Sequence, residues 1–186
     1  MKAGSLLLGI VVLLTAIAAV NAERYALEDS WVLEANTSLF PVSDPLKIEV
    51  PAKEIATISW LLFPPRAGDN ATMLFISWGN YSNLDVALGV TGVTTSIFGS
   101  ASSQLGATAF NTDENTRVNC LGTERYGIEA YNRTTNDVKG YYVPVTLAGS
   151  NNSRIITMWA TNITLQQWRE FLSSISISQT ADGATT

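Results

Sequence analysis

The sequence contains no histidine and a single cysteine among its 186 residues, and these two gaps exclude most of the common site chemistries. Without histidine the chain can form neither a Ser-His-Asp triad nor a Cys-His pair, and it cannot build a histidine-based metal centre. One cysteine cannot hold a thiolate zinc or iron–sulfur site, and it cannot close a disulfide within the chain. Cys120 is therefore either a buried small hydrophobic side chain or one half of an intermolecular bridge.

The sequence also lacks the motifs of nucleotide binding and covalent catalysis, since it has neither a phosphate-binding glycine loop nor a nucleophile elbow. Its acidic residues are spread singly, and only Glu28-Asp29 and Asp113-Glu114 are adjacent, which is typical of solvated strands and turns. We therefore predict that the chain is not an enzyme and carries no cofactor. Asn83 and Asp85 offer oxygen ligands two residues apart and are the candidates for a Ca²⁺ site, although such residues more often form local hydrogen bonds in turns.

Charged residues make up only 15% of the chain, against about 25% in an average soluble protein. The formal net charge is −5 and the basic residues are scattered, which argues against nucleic acid or an anionic membrane as partner. Another kind of group must then keep the surface hydrated. The sequence offers six Asn-X-Ser/Thr sequons as predicted glycosylation sites, namely Asn36, Asn70, Asn80, Asn132, Asn151 and Asn162.

The first 22 residues have the pattern of a secretory signal peptide. Lys2 precedes an apolar run from Leu6 to Val20, and small side chains at Val20 and Ala22 predict cleavage before Glu23. The alternative is an uncleaved anchor, because residues 3–22 carry no charge and could just cross a bilayer core. In that case this segment is the only predicted contact with a membrane. In both cases the remainder is predicted to be extracellular or at the cell surface.

Residues 46–177 are predicted to form one mainly β domain, a single antiparallel sandwich of the immunoglobulin-like or jelly-roll-like kind with one short C-terminal helix. Alternating and β-branched segments predict strands at residues 46–50, 55–63, 73–78, 84–90, 126–131, 141–147 and 154–160. Thr164 and Gln167 form a capping box that predicts a helix start, with an apolar helical period up to Ile175. Thr91 to Val118 is predicted as a loop or irregular strands, and residues 178–186 as a disordered tail.

Residues 23–45 form an extended segment ahead of this domain, and its four large apolar side chains are Trp31, Leu33, Leu39 and Phe40. One interpretation makes the segment the first strand of the domain's own sheet. The other makes it a strand donated to the next subunit, with these four residues at the subunit interface. Head-to-tail donation is a heterologous contact, and a heterologous contact that does not close produces a filament.

The segment from Leu74 to Val90, followed by YGIEAYN and KGYYVPVTL, resembles the pre-peptidase C-terminal type domain of bacteria and archaea. The likeness lies in Leu84-Asp85-Val86 and Gly140-Tyr141-Tyr142, while Asn83-Leu84-Asp85 stands in place of that family's Asp-x-Asp. It implies a β-sandwich that binds glycan or matrix. The plan of a cleaved signal, an apolar N-terminal segment and one glycosylated sandwich is similar to archaeal pilin-like thread subunits, which implies polymerisation by strand donation.

Together these features predict a secreted, N-glycosylated structural or adhesive surface protein that is its own partner in a filament assembled by strand donation. The alternative is a monomeric glycan- or matrix-binding sandwich module.

Overall fold

The computed structural model describes residues 22–27, 31–51, 56–69, 71–147, 150 and 153–180. The predicted signal peptide, apart from Ala22, lies outside the described residues, as do Asn70 and Asn151. The described residues form strands β1 Glu23–Ala26, β2 Trp31–Ala35, β3 Leu46–Pro51, β4 Ala56–Phe63, β5 Leu74–Tyr81, β6 Ala109–Asn111, β7 Arg117–Cys120, β8 Thr123–Tyr126, β9 Ile128–Tyr131, β10 Val138–Thr146, β11 Arg154–Thr161 and β12 Ser176–Gln179, with helices α1 Leu84–Gln104 and α2 Leu165–Ser174. The predicted mainly β, antiparallel class is confirmed, and so is the C-terminal helix.

Seven antiparallel strands form the large sheet, in the order β3-β4-β5-β11-β10-β9-β6. Its central strands are buried on both faces, and in β5 every residue from Leu74 to Gly79 is buried. This explains why β5 is a continuous apolar run rather than an alternating one, because layers cover both of its faces.

One face of the large sheet, here called the core side, is covered by the three-stranded sheet β1-β2-β12 and by α2. The rings of Trp31 and Trp78 lie 5.3 Å apart across the two sheets. Helix α2 begins with the predicted capping box and buries Trp168 and Phe171 against the same core. The main hydrophobic core therefore lies between the two sheets and α2.

The other face, here called the helix side, is covered by α1. The predicted strand at residues 84–90 is wrong, because Leu84–Gln104 is one helix of 21 residues. The loop or irregular strands predicted for Thr91 to Val118 are wrong up to Gln104, whereas the short strands β6 and β7 follow the helix. Asn83 starts it, since its Oδ1 accepts a hydrogen bond from the N–H of Val86 at 3.0 Å. The residues that it buries are Ala87, Thr94, Phe98, Ala101 and Ser102, and their spacing follows a helical period.

Helix α1 approaches the large sheet closely at Gly140. A Cβ atom built at Gly140 would lie 2.7 Å from the carbonyl oxygen of Ala160 and 3.0 Å from the Phe98 ring. Beside it, the rings of Phe98 and Tyr142 stack with centroids 5.7 Å apart. Because glycine has no Cβ, α1 can pack closely against the strands at this point.

The chain after α2 differs from the predicted tail. Ser176–Gln179 form β12, which pairs with β2 and places Ile177 opposite Leu33. Ile177 packs against the main core, and this apolar contact explains why the strand forms in an otherwise small and polar segment. Residues 181–186 lie outside the described part of the chain.

Candidate interaction surface

The exposed large hydrophobic side chains of the described residues concentrate on the helix side. Seven such side chains are exposed, and six of them lie there, each between 43% and 59% exposed: Leu46, Ile48, Leu84, Leu88, Val93 and Phe110. The seventh, Tyr126, belongs to the β7–β8 hairpin. We call these six residues the contact face. Apolar side chains gathered on one side of a folded domain make that side a candidate interaction surface.

Helix α1 supplies the centre of the contact face. The only charged residue of α1 is Asp85. Among the described helices, α1 is the one that is long and apolar enough to cross a membrane, by length and composition alone. A Cβ atom added at Gly89 or Gly92 would meet no other atom within 4 Å. These glycines, together with Ser96 and Ser100, line a shallow open depression along the helix. Packing within the chain does not require glycine there, although each glycine weakens the helix.

Strands β3 and β4 supply the flank of the contact face. Leu46 pairs with Leu62, and Ile48 pairs with Trp60, so these side chains share one face of the sheet. Trp60 and Leu62 pack against the cluster under α1, with the Trp60 and Phe75 rings 5.6 Å apart. The apolar surface therefore continues from the helix across the sheet to its outer strand.

Two of the described sequons lie on the core side, and the other two follow the ends of strands β9 and β11. Asn80 follows Trp78 by two residues in β5 and so points to the core side. The backbone N–H of Asn36 donates to Ser174 Oγ of α2, on that same side. Asn132 forms the turn after β9, where its Oδ1 accepts from the N–H groups of Thr134 and Thr135. Asn162 follows β11 in an exposed turn with a φ of 53°.

The four residues expected at a strand-donation interface contact other residues of their own chain. Strand β2, with Trp31 and Leu33, pairs with β1 on one side and β12 on the other, and Leu33 is fully buried. The guanidinium of Arg154 stacks on Trp31 at 4.9 Å. Phe40 is buried with its ring 5.2 Å from Phe171, and Leu39 packs against the same core. In this structure the segment pairs within its own chain, and its donation to a second subunit stays a prediction.

The candidate calcium ligands serve α1. Asn83 is the N-cap of α1, and Asp85 lies in its first turn. The negative charge of Asp85 stabilises the helix there, because the N-terminal end of the helix dipole is positive. Asp113 caps the short 3₁₀ helix Glu114–Thr116. Hydrogen bonds from the Asn111 amide and from the N–H of Asn115, the latter at 2.8 Å, hold the pKa of Asp113 below its usual value. No group of three His, Cys, Asp or Glu side chains that could hold a metal occurs in the described ranges.

Cys120 is buried in the main core, in agreement with the first of its two interpretations. Burial raises the pKa of its thiol to about 12. A thiol with so high a pKa is unreactive at neutral pH, because the thiolate is the reactive form.

No family model, curated protein or solved structure matches this chain. The residues of the contact face must therefore be judged on their geometry. From sequence alone, Leu88 is missed because Leu84, Val86, Leu88 and Val90 alternate as in a strand. Val93 is missed because Thr91 to Val118 is predicted as a loop or irregular strands. The signals that could have identified the helix are the Asn83 cap and a stretch of more than 20 residues without proline.

Proposed function

We propose that the chain is a secreted, N-glycosylated structural or adhesive protein of a cell surface, a β-sandwich module that acts by protein contact and not by catalysis. The observation that carries this proposal is the placement of six of the seven exposed large hydrophobic side chains on the helix side. Covering them removes apolar surface from water, which is the main favourable term in protein association.

The positions of the sequons support the same function. Strand β3 and helix α1 contain no sequon, and the described sequons are on the core side or in end turns. Glycans attached there would hydrate the charge-poor remainder of the surface and leave the contact face open. In this proposal the glycans keep one part of the surface hydrated, and the contact face binds neighbouring protein.

If the protein forms a filament, the proposed contact between subunits is not the donated strand. Residues 31–40 pack in the core of their own chain, so Leu33 and Phe40 would have to leave that core before a second subunit could bind them. In our proposal, the contact face, rather than a donated strand, joins the protein to its neighbours.

The alternative, a glycan- or matrix-binding module, has less support. Outside the contact face, the one exposed large aromatic side chain among the described residues is Tyr126, and the guanidinium of Arg117 lies over its ring at 5.2 Å. Tyr126 also accepts a hydrogen bond from Arg117 and donates one to Glu114, so both its ring and its hydroxyl are engaged.

The test is to return protein isolated from its own cell surface to stripped cells and to measure the bound fraction. Replacing Leu88 and Val93 together by lysine should abolish binding, because it places two charges in an apolar contact. The matched control replaces Ser103 and Gln104 by lysine, which adds the same charge to exposed positions of α1 outside the contact face. Both proteins should melt as the wild type does. Equal binding by the Leu88/Val93 variant and the wild type would reject the contact face.

A further inference from the structure

Strand β3 is an open edge of the large sheet. It is the outermost of the seven strands and pairs with β4 on one side, and no described strand pairs with its other side. The strand at the opposite edge, β6, has only three residues, whereas β3 has six. Unpaired backbone groups along such an edge are a template for another strand, and natural proteins shield them or use them.

The side chains of β3 form a self-complementary pattern. Leu46 and Ile48 are exposed on the helix side, while Lys47 and Glu49 carry opposite charges on the other face, 3.5 Å apart. When β3 is laid antiparallel to a second β3 with Ile48 opposite Ile48, Lys47 of each copy faces Glu49 of the other. Leu46 then faces Val50, so the apolar side of the strand also meets an apolar side.

We infer that β3 is the surface on which a second copy of this chain binds, edge to edge and antiparallel, in the register centred on Ile48. Opposite charges directly across an antiparallel pair stabilise it, and like charges destabilise it. The pairing is isologous, because each copy presents the same strand to the other. This inference rests on the proposed contact role of the helix side and adds the partner at its β3 flank.

The same pattern excludes the neighbouring registers. Sliding one strand by two residues moves the centre to Lys47 or to Glu49, which places lysine opposite lysine or glutamate opposite glutamate. Sliding it by one residue places apolar side chains opposite charged ones, for example Leu46 opposite Glu49. Pro45 and Pro51 bound the strand and have no N–H to donate, so the ladder ends between them.

Charge-reversal variants test both the partner and the register. In Lys47→Glu, two glutamates of one copy face two glutamates of the other, and in Glu49→Lys the same positions are all lysine. Each variant alone should weaken the dimer at least about tenfold in sedimentation equilibrium. An equimolar mixture of the two should restore a heterodimer, because every opposed pair is then complementary. The control is Lys139→Glu, which removes the similar Lys139–Asp137 pair at 3.6 Å and should leave the dimer unchanged.

A wild-type protein that stays monomeric at about 1 mM would overturn the inference, and so would a mixture that fails to associate. Amide exchange of residues 46–50 should slow as concentration rises, whereas exchange independent of concentration would also overturn it. The Leu88/Val93 lysine variant separates this inference from the proposed function. If that variant dimerises but binds cells as well as the wild type, the contact face fails and the β3 pairing stands. If the β3 variants change nothing while the lysine variant loses cell binding, the β3 pairing fails and the contact face stands.

Discussion

Two glycine-to-alanine substitutions should change stability in opposite directions, because α1 has one face on the large sheet and one face in solvent. At Gly140 the added methyl would lie 2.7 Å from the Ala160 carbonyl oxygen, a backbone atom that cannot turn away. The strand or α1 must shift to relieve this contact, and overpacking of this kind costs about 1–3 kcal/mol. At Gly92 the methyl meets nothing within 4 Å, and an alanine there is a better helix former by about 1 kcal/mol.

The assay is denaturant unfolding of the isolated protein, supported by thermal melting. For a domain of this size, 1 kcal/mol corresponds to a change of about 2–4 °C in Tm. Gly140→Ala should lower both the midpoint and Tm, and Gly92→Ala should raise them. A neutral Gly140→Ala would show that α1 does not dock on β10 as described. A destabilised Gly92→Ala in the isolated monomer would show that the outer face of α1 is not open.

Three further predictions follow from the core, the thiol and the chain's predicted export. Trp78→Ala should lower the free energy of unfolding by about 3–5 kcal/mol in denaturant titration, since Trp78 is 1% exposed between the two sheets, and a loss below about 1 kcal/mol would refute its place there. A thiol reagent at pH 8 should label Cys120 only after unfolding, because its pKa is raised to about 12 by burial; rapid labelling of folded protein would disprove this. Mass spectrometry should find the mature chain starting at Glu23 with glycans on several sequons, and unmodified peptides at all of them would remove the proposed hydration by sugars.

The parts of the fold that could be predicted from sequence are those in which a local signal agrees with the tertiary environment. The capping box of Thr164 and Gln167 starts α2 as expected, and the apolar run of residues 74–78 is a strand covered on both faces. Proline marks both ends of β3, and the strand forms as its alternation predicts, but its apolar side chains Leu46 and Ile48 are exposed rather than buried. In α2 and β5, by contrast, propensity, periodicity and burial all favour one conformation.

The part that could not be predicted is α1, where local propensity and structure disagree. Valine, threonine and glycine are poor helix formers, and they make up much of the segment from Val86 to Thr95. The helix forms because the sheet offers Phe75, Tyr142 and Trp159 as a partner surface for Phe98. The alternation of apolar residues over the seven positions 84–90 carries no information about these tertiary contacts.

The candidate surface was missed for the same reason. A strand over residues 84–90 would have placed Leu84 in the core, but Leu84 is half exposed at the start of α1. The interface residues Trp31 and Leu33 were equally ambiguous, because an intrinsic strand and a donated strand have the same sequence pattern. The structure pairs β2 with β1 and β12 of the same chain, and a strand donated by a neighbour would make the same pairings.

The most direct test of the contact face is hydroxyl-radical footprinting of the protein on its native cell surface and after isolation. Leu88 and Val93 should be labelled several-fold less on the cell than in the isolated protein, because neighbouring protein covers them. Tyr126 is the internal control, since it is as exposed as Val93, at 51%, but lies outside the contact face. Equal labelling of Leu88 and Val93 in the two states would contradict the account, whereas protection of these residues with unchanged labelling of Tyr126 is the result that it predicts.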